Sequence, residues 1–66
     1  MEIVVNGQVR QVQDSFTVGD LIRDMDLVGR RLAVEVNLNI VPRSTHDQHQ
    51  LQPGDQVEIV HAIGGG

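Results

Sequence analysis

The segment that decides the fold runs from residue 16 to residue 25 and has the sequence FTVGDLIRDM. Thr17 can cap the free backbone N–H groups at the start of a helix, and Asp20 occupies the position of the acid in a capping box. Phe16 precedes the cap and Leu21 follows it with the spacing of a hydrophobic staple. These features together predict that a helix begins at Val18.

The apolar residues of this segment recur with the period of one helix face; they are Val18, Leu21, Ile22 and Met25. Gly29 follows them and is the residue type that most often ends a helix. We therefore predict one amphipathic helix from Val18 to about Met25, with Gly29 as its stop.

A β-hairpin is predicted before the helix. Two short runs, residues 1–5 and 8–13, flank Asn6-Gly7. Asn-Gly is the strongest short signal for a hairpin, because both central residues of the turn must take a positive φ.

Two further strands are predicted after the helix. Apolar residues alternate with other residues from 31 to 38, which indicates a strand with one covered face; they are Leu32, Val34, Val36 and Leu38. Residues 37–39 resemble a turn into a brief strand, 40–41, and Pro42 places that strand at a sheet edge because proline cannot donate a hydrogen bond. Residues 43–52 are polar and are predicted to be irregular, and Pro53-Gly54-Asp55 forms a tight turn.

The last strand, residues 57–63, is apolar on both faces except for Glu58 and His61, which is typical of a central strand. We expect it to lie parallel to the first strand in the middle of the sheet. The predicted fold class is α+β, a mixed sheet of four or five strands with one main helix across one face. Residues 1–63 form the domain, and residues 64–66 form a flexible glycine tail.

The composition restricts the function. A chain of 66 residues makes one domain with a thin core and no room for a deep cleft, which weighs against an enzyme. The chain has no cysteine, which excludes disulfides, thiolate metal sites and thiol catalysis and suits a reducing cytoplasm. Its net charge of −4 and its single aromatic residue, Phe16, argue against nucleic-acid binding. Neither a signal-peptide pattern nor an apolar run of ~20 residues is present, so we expect a soluble cytoplasmic protein.

The histidines, three of the arginines and the residues before the glycines give weaker evidence of function. His46 and His49 form an H-x-x-H pair, but a third ligand is missing, so we interpret them as solvated loop histidines and predict no metal. His61 is interpreted as a covered, hydrogen-bonded residue, with a docking surface as the alternative. The arginines at positions 30, 31 and 43 either form a solvated face or pair with acids of a partner. Ala62 and Ile63 either dock a partner or are buried in the strand.

Several blocks, in this order and spacing, carry a resemblance to a known family: Met1-Glu2-Ile3 with Asn6-Gly7, Thr17-Val18 with Leu21, Val34-Glu35-Val36-Asn37, Ile40-Val41-Pro42-Arg43-Ser44, residues 54–60 (GDQVEIV), and Gly65-Gly66. The chain resembles the ThiS-type sulfur carriers of thiamine biosynthesis, which belong to the ubiquitin-like β-grasp superfamily and are related to the small subunit of molybdopterin synthase. It departs from many relatives at Thr45-His46, where they carry an aromatic residue, and this affects a surface contact only.

The resemblance implies that the chain is a protein co-substrate and not an enzyme. A ThiF-type enzyme adenylates the carboxylate of Gly66 with ATP, and sulfur from an enzyme such as a cysteine desulfurase converts it to a thiocarboxylate. A ThiG-type thiazole synthase takes up that sulfur, and the chain itself binds no cofactor. Activation is needed because an ionised carboxylate, with a pKa of ~3.3–3.7, is a poor electrophile. Gly64 and Gly65 suit a tail that enters narrow sites, since glycine has no Cβ and a free φ.

Three alternatives remain open from the sequence. The chain could carry sulfur for molybdopterin, or act as a ubiquitin-like modifier joined through Gly66 to lysines of other proteins. It could also be a non-covalent β-grasp binding module in which the glycines are inert.

Overall fold

The computed structural model of the chain describes residues 1–61. Its elements are β1 (Glu2–Val5), β2 (Gln8–Gln11), α1 (Val18–Asp24), β3 (Leu32–Val36), β4 (Asn39–Val41), a 3₁₀ helix (Arg43–Thr45) and β5 (Gln56–His61). The strands form one sheet in the order β2-β1-β5-β3-β4. β1 and β5 run parallel and the other neighbours run antiparallel. The predicted α+β fold, with the last strand in the middle of a mixed sheet, is confirmed.

The predicted first hairpin is confirmed as well. Asn6 has a φ of 50° and Gly7 a φ of 81°. This is the pair of positive φ angles that a two-residue turn between twisted strands requires. The turn pairs Val5 with Gln8 and so sets the register of β1 against β2.

The helix begins with the predicted capping box. The backbone N–H of Asp20 donates to Thr17 Oγ1 at 3.0 Å, and the backbone N–H of Thr17 donates to Asp20 Oδ2 at 2.9 Å. Two donors that the first turn of a helix would leave unpaired are therefore satisfied within four residues of sequence.

The segment after β4, which was predicted to be irregular, completes this cap. It opens with the 3₁₀ helix, and its backbone carbonyls at His49 and His46 accept from the N–H groups of Val18 at 3.0 Å and Gly19 at 2.8 Å. A side chain at position 19 would collide with this segment, because a Cβ there would meet Asp47 Oδ1 at 2.0 Å. Backbone carbonyls of the protein itself thus accept hydrogen bonds from the first N–H groups of α1.

The helix ends at Asp24, close to the predicted end at about Met25, but the residue that stops it is not the predicted one. The N–H of Leu27 donates to the carbonyl of Ile22 at 2.9 Å, and the N–H of Asp26 donates to that of Arg23 at 3.1 Å. This pair of bonds is a Schellman motif. Asp26, with a φ of 59°, takes the left-handed position that we had assigned to Gly29. The prediction of Gly29 as the stop is therefore wrong.

The core lies between α1 and one face of the sheet. Its buried members are Ile3, Val5, Val18, Leu21, Ile22, Val34, Val36, Val41, Leu51, Val57 and Ile59. Met25 and Phe16 are partly buried against this cluster. The predicted apolar face of the helix is confirmed, and the strand alternation is confirmed for β3 as far as Val36. No helix within residues 1–61 is long and apolar enough to cross a membrane.

The capping acid should make stability depend on pH. Hydrogen bonds from the backbone N–H of Thr17 and from the guanidinium of Arg23 lower the pKa of Asp20, because they favour its ionised form. The stabilisation is therefore fully present above the pKa of an unfolded aspartate, ~3.9, and is lost as the pH falls through the lower pKa of the folded state. We expect the difference in unfolding free energy between the wild type and Asp20→Asn to shrink between about pH 5 and pH 2. Urea titrations across this range measure it, and a constant difference would contradict the assignment.

Candidate functional site

The candidate site begins where β5 ends. β5 lies between β1 and β3, and its last residue, His61, pairs with Leu32. The predicted tail residues Gly64, Gly65 and Gly66 and the predicted docking residues lie beyond it. All of residues 62–66, including Ala62 and Ile63, fall outside the described part of the structure, so these assignments stay predictions.

Two asparagines hold β5 from either side. Asn6 Oδ1 accepts from the N–H of Ile59 at 2.8 Å. Asn37 Oδ1 accepts from the N–H of Gln56 at 3.0 Å, and Asn37 Nδ2 donates to Asp55 Oδ1 at 3.0 Å. Both asparagines are the first residue of a turn with positive φ. The strand that leads into the tail is therefore fixed to both neighbouring hairpins, which makes it a rigid base for that segment.

The sheet face that α1 does not cover is the second part of the site, and we refer to it as the outer face. β5 buries Val57 and Ile59 in the core, so its alternate residues Glu58 and Val60 lie on the outer face. The register of β3 against β5 places Glu35 directly opposite Glu58. Two acidic residues are therefore cross-strand neighbours on the outer face, at the centre of the sheet.

The outer face also exposes apolar side chains. Four of the large exposed apolar residues lie on it or at its rim, with their exposed fractions as follows: Leu38 87%, Ile40 71%, Val9 63% and Val60 56%. The apolar alternation placed Leu38 on the covered face of β3, and this is wrong, because the strand ends at Val36. Leu38 lies instead in the turn to β4, so the turn predicted at residues 37–39 is confirmed. An apolar surface with carboxylates at its centre is suited to contact with another protein.

The observed exposure of the three histidines differs from the exposure that was predicted for them. His61 is exposed, so its interpretation as a covered residue is wrong. His46 and His49 are half-buried and not fully solvated, and His46 Nε2 lies 3.1 Å from the carbonyl oxygen of Val41. Within residues 1–61 no group of three or more potential metal ligands comes together. The H-x-x-H pair is better explained as part of the segment that caps α1.

The three arginines singled out from the sequence lie near one another. Arg43 Nη2 donates to the carbonyl of Arg30 at 2.9 Å, and Arg31 precedes β3 at the end of the sheet where β5 ends. All three are exposed. In the described part of the chain they form no salt bridge, whereas Arg10 pairs with Asp24 at 2.6 Å. Both predicted interpretations, a solvated face and a contact with partner acids, stay open.

Comparison with known proteins identifies the chain. A model of the ThiS family matches residues 3–66. The sulfur carrier protein ThiS of Escherichia coli (strain K12) is 36% identical over 66 residues, which is all of both chains. The thiazole synthase of Paramagnetospirillum magneticum is 44% identical over 66 residues, all of this chain and 20% of that protein. The thiazole synthase of Magnetococcus marinus likewise matches over 20% of its length, so the chain spans about a fifth of these two relatives.

A solved structure supports the same assignment. The crystal structure of a thiamine biosynthesis protein (ThiS) from Geobacter metallireducens superimposes with a TM-score of 0.85 over all of both chains, at 29% identity. The resemblance carried by the sequence blocks, from Asn6-Gly7 to Gly65-Gly66, is therefore confirmed. The family match covers nearly the whole chain. The protein belongs to the ThiS family.

Proposed function

We propose that this chain is the sulfur carrier for thiazole formation in thiamine biosynthesis and that the carboxylate carbon of Gly66 is the group that carries the sulfur. The observation that supports this most is the match to a sulfur carrier over the full length of both chains. The geometry is compatible with it, since β5 is held by both neighbouring strands and ends at His61, three positions before Gly64 in the sequence.

The proposed chemistry has three steps. The carboxylate of Gly66 attacks the α-phosphate of ATP on a ThiF-type adenylating enzyme, pyrophosphate leaves, and an acyl adenylate forms. The terminal sulfur of a persulfide, supplied by an enzyme such as a cysteine desulfurase, then displaces AMP. A thiol reduces the resulting acyl disulfide and releases the thiocarboxylate. ATP and reduced thiols are reagents of the cytoplasm, which is the compartment that we propose.

The partners supply the catalysis in this proposal. A small body with one helix on one sheet offers a docking surface and a tail, and the enzymes enclose the reacting carbon. A ThiG-type thiazole synthase is the proposed acceptor of the sulfur. Two relatives named thiazole synthase contain a segment similar to this whole chain, which supports a close association of the two functions.

A mass measurement tests the proposal. The 66-residue chain is incubated with the adenylating enzyme of the same organism, MgATP, cysteine and a cysteine desulfurase. We expect a mass gain equal to the replacement of one oxygen by sulfur, located in the peptide that contains Gly66 and dependent on ATP. Conjugates with lysines of other proteins, without a free thiocarboxylate, would instead indicate a ubiquitin-like modifier.

A further inference from the structure

Residues 1–61 contain two hairpin turns that share a pair of positive φ angles but differ in sequence. In the first, Asn6 and Gly7 have φ angles of 50° and 81°. In the second, Asn37 and Leu38 have φ angles of 51° and 72°. Glycine takes the left-handed conformation without strain, whereas the Cβ of leucine crowds the backbone there. The second turn is therefore strained at a position where the first turn is not.

Folding does not explain why a leucine occupies this position. Leu38 is 87% exposed, so its side chain gains little from burial within the described residues. It borders a shallow depression lined also by Asn37, Gln56 and Glu58, and Ile40, two residues away, is 71% exposed. Strained residues persist where function requires them, and an exposed, strained apolar residue indicates a contact with another molecule.

The carboxylates beside this turn are also unfavourable for the isolated domain. Glu35 and Glu58 lie directly opposite each other on β3 and β5, where paired Cβ atoms are ~4.5–5.5 Å apart. Like charges in this arrangement repel. Neither glutamate forms a salt bridge within residues 1–61. A cation brought to this place by a partner would convert the repulsion into attraction.

We propose that Leu38, Ile40, Glu35 and Glu58, here named the distal knob, form a docking surface for the thiazole synthase. The synthase surface that fits it is an apolar pocket for the leucine with an arginine or lysine at its rim, a complement in both shape and charge to the knob. This inference rests on the proposed function, and the synthase is chosen as the partner because two relatives named thiazole synthase contain a segment similar to this whole chain.

The distal knob extends from the middle of the sheet, where Glu35 and Glu58 are paired, to the end of the sheet opposite His61, where Leu38 lies. β5 is 6 residues long, and Gln56 beside the knob is separated from His61 by about 17 Å of strand. The partner therefore holds the folded body at one place while the tail reaches another. Contacts at the distal knob determine the affinity of the complex, whereas contacts of the tail position the reacting carbon of Gly66.

The test uses variants that should stabilise the domain while they weaken binding. Leu38→Gly converts the second turn into the Asn-Gly turn of the first, so we expect the melting temperature to rise by a few degrees. Loss of a buried leucine from the complex should raise the Kd for purified thiazole synthase of the same organism ~10-fold or more. Leu38→Ala keeps the strained backbone, so it should weaken binding equally without the gain in melting temperature.

Two further variants complete the test. Glu58→Gln removes the repulsion with Glu35 and should again raise the melting temperature and weaken binding, with a smaller dependence of the Kd on salt. Val28→Ala is the matched control, because Val28 is 67% exposed but lies in the groove beside Ile22 on the helix side. It should leave the Kd unchanged.

The outcomes separate this inference from the proposed function. A Leu38→Gly chain that binds the synthase as tightly as the wild type overturns the distal knob. The proposed function is tested independently by the formation of the thiocarboxylate on the wild-type chain. A chain that acquires sulfur at Gly66 but whose affinity for the synthase does not depend on Leu38 refutes the knob alone.

Discussion

Replacement of Leu21 by alanine should lower the free energy of unfolding by about 2–5 kcal/mol, the largest effect on stability that we expect from one substitution in this chain. Leu21 is completely buried, at 0% exposure, in the middle of the helix face that packs on the sheet. The change removes apolar contacts and leaves a cavity that a small, closely packed core can only partly fill. In a domain of this size each ~1 kcal/mol shifts the melting temperature by ~4–8 °C. The melting temperature should therefore fall by at least ~8 °C.

Thermal and urea unfolding followed by circular dichroism measure this effect. Val28→Ala serves as the control, because it removes atoms from an exposed side chain and should change stability by no more than ~0.5 kcal/mol. If Leu21→Ala melts within a degree or two of the wild type, the interface between α1 and the sheet is not the principal core.

The elements that could be predicted from the sequence are those specified by neighbouring residues. Asn6-Gly7 determines its turn through the positive φ that both residues must take. Thr17 and Asp20 are three residues apart and cap each other's backbone, so the start of the helix is a local property. Such signals do not depend on the rest of the fold.

Two departures from the predictions depend on contacts between residues that are far apart in the chain. The alternation of apolar residues continues through Leu38, but β3 ends before it, because Asn37 bonds across to Gln56 and Asp55. The segment after β4 caps α1 through the backbone carbonyls of His46 and His49, and a carbonyl leaves no trace in the residue type. The turn at residues 37–39 could be predicted from its own residues, whereas the end of the alternation at Val36 and the backbone cap could not.

The candidate site also has a part that was predicted from the sequence and a part that was not. The role of Gly66 was predicted from the resemblance alone and stays a prediction, because residues 62–66 are not described. The facing pair Glu35 and Glu58 was not predicted, because it depends on the register between two strands that are far apart in the chain. Each glutamate by itself has the appearance of an ordinary solvated residue in an alternating strand, so only the pairing makes it a candidate for contact.

The position of the terminal carboxylate should matter more for sulfur transfer than any side chain of the folded body. Deleting Gly66 leaves a glycine carboxylate of the same chemistry but shortens the reach of the tail by ~3.3–3.6 Å. Adding one alanine after Gly66 moves the carboxylate beyond the same point and gives it a methyl group. Because a misplacement of even 1 Å can lower a rate ~100-fold, we expect both variants to form thiocarboxylate at least ~100-fold more slowly than the wild type.

The two variants control for each other, since one shortens the tail, the other lengthens it, and neither alters residues 1–61. Equal melting temperatures for the three chains would confirm that the body is unchanged, and the rate of thiocarboxylate formation would be followed by mass spectrometry. The same spectra show whether the added alanine is still present, which excludes trimming to the active length. If the intact extended chain still supports thiazole formation at nearly the wild-type rate, the carboxylate of Gly66 is not the group that carries the sulfur.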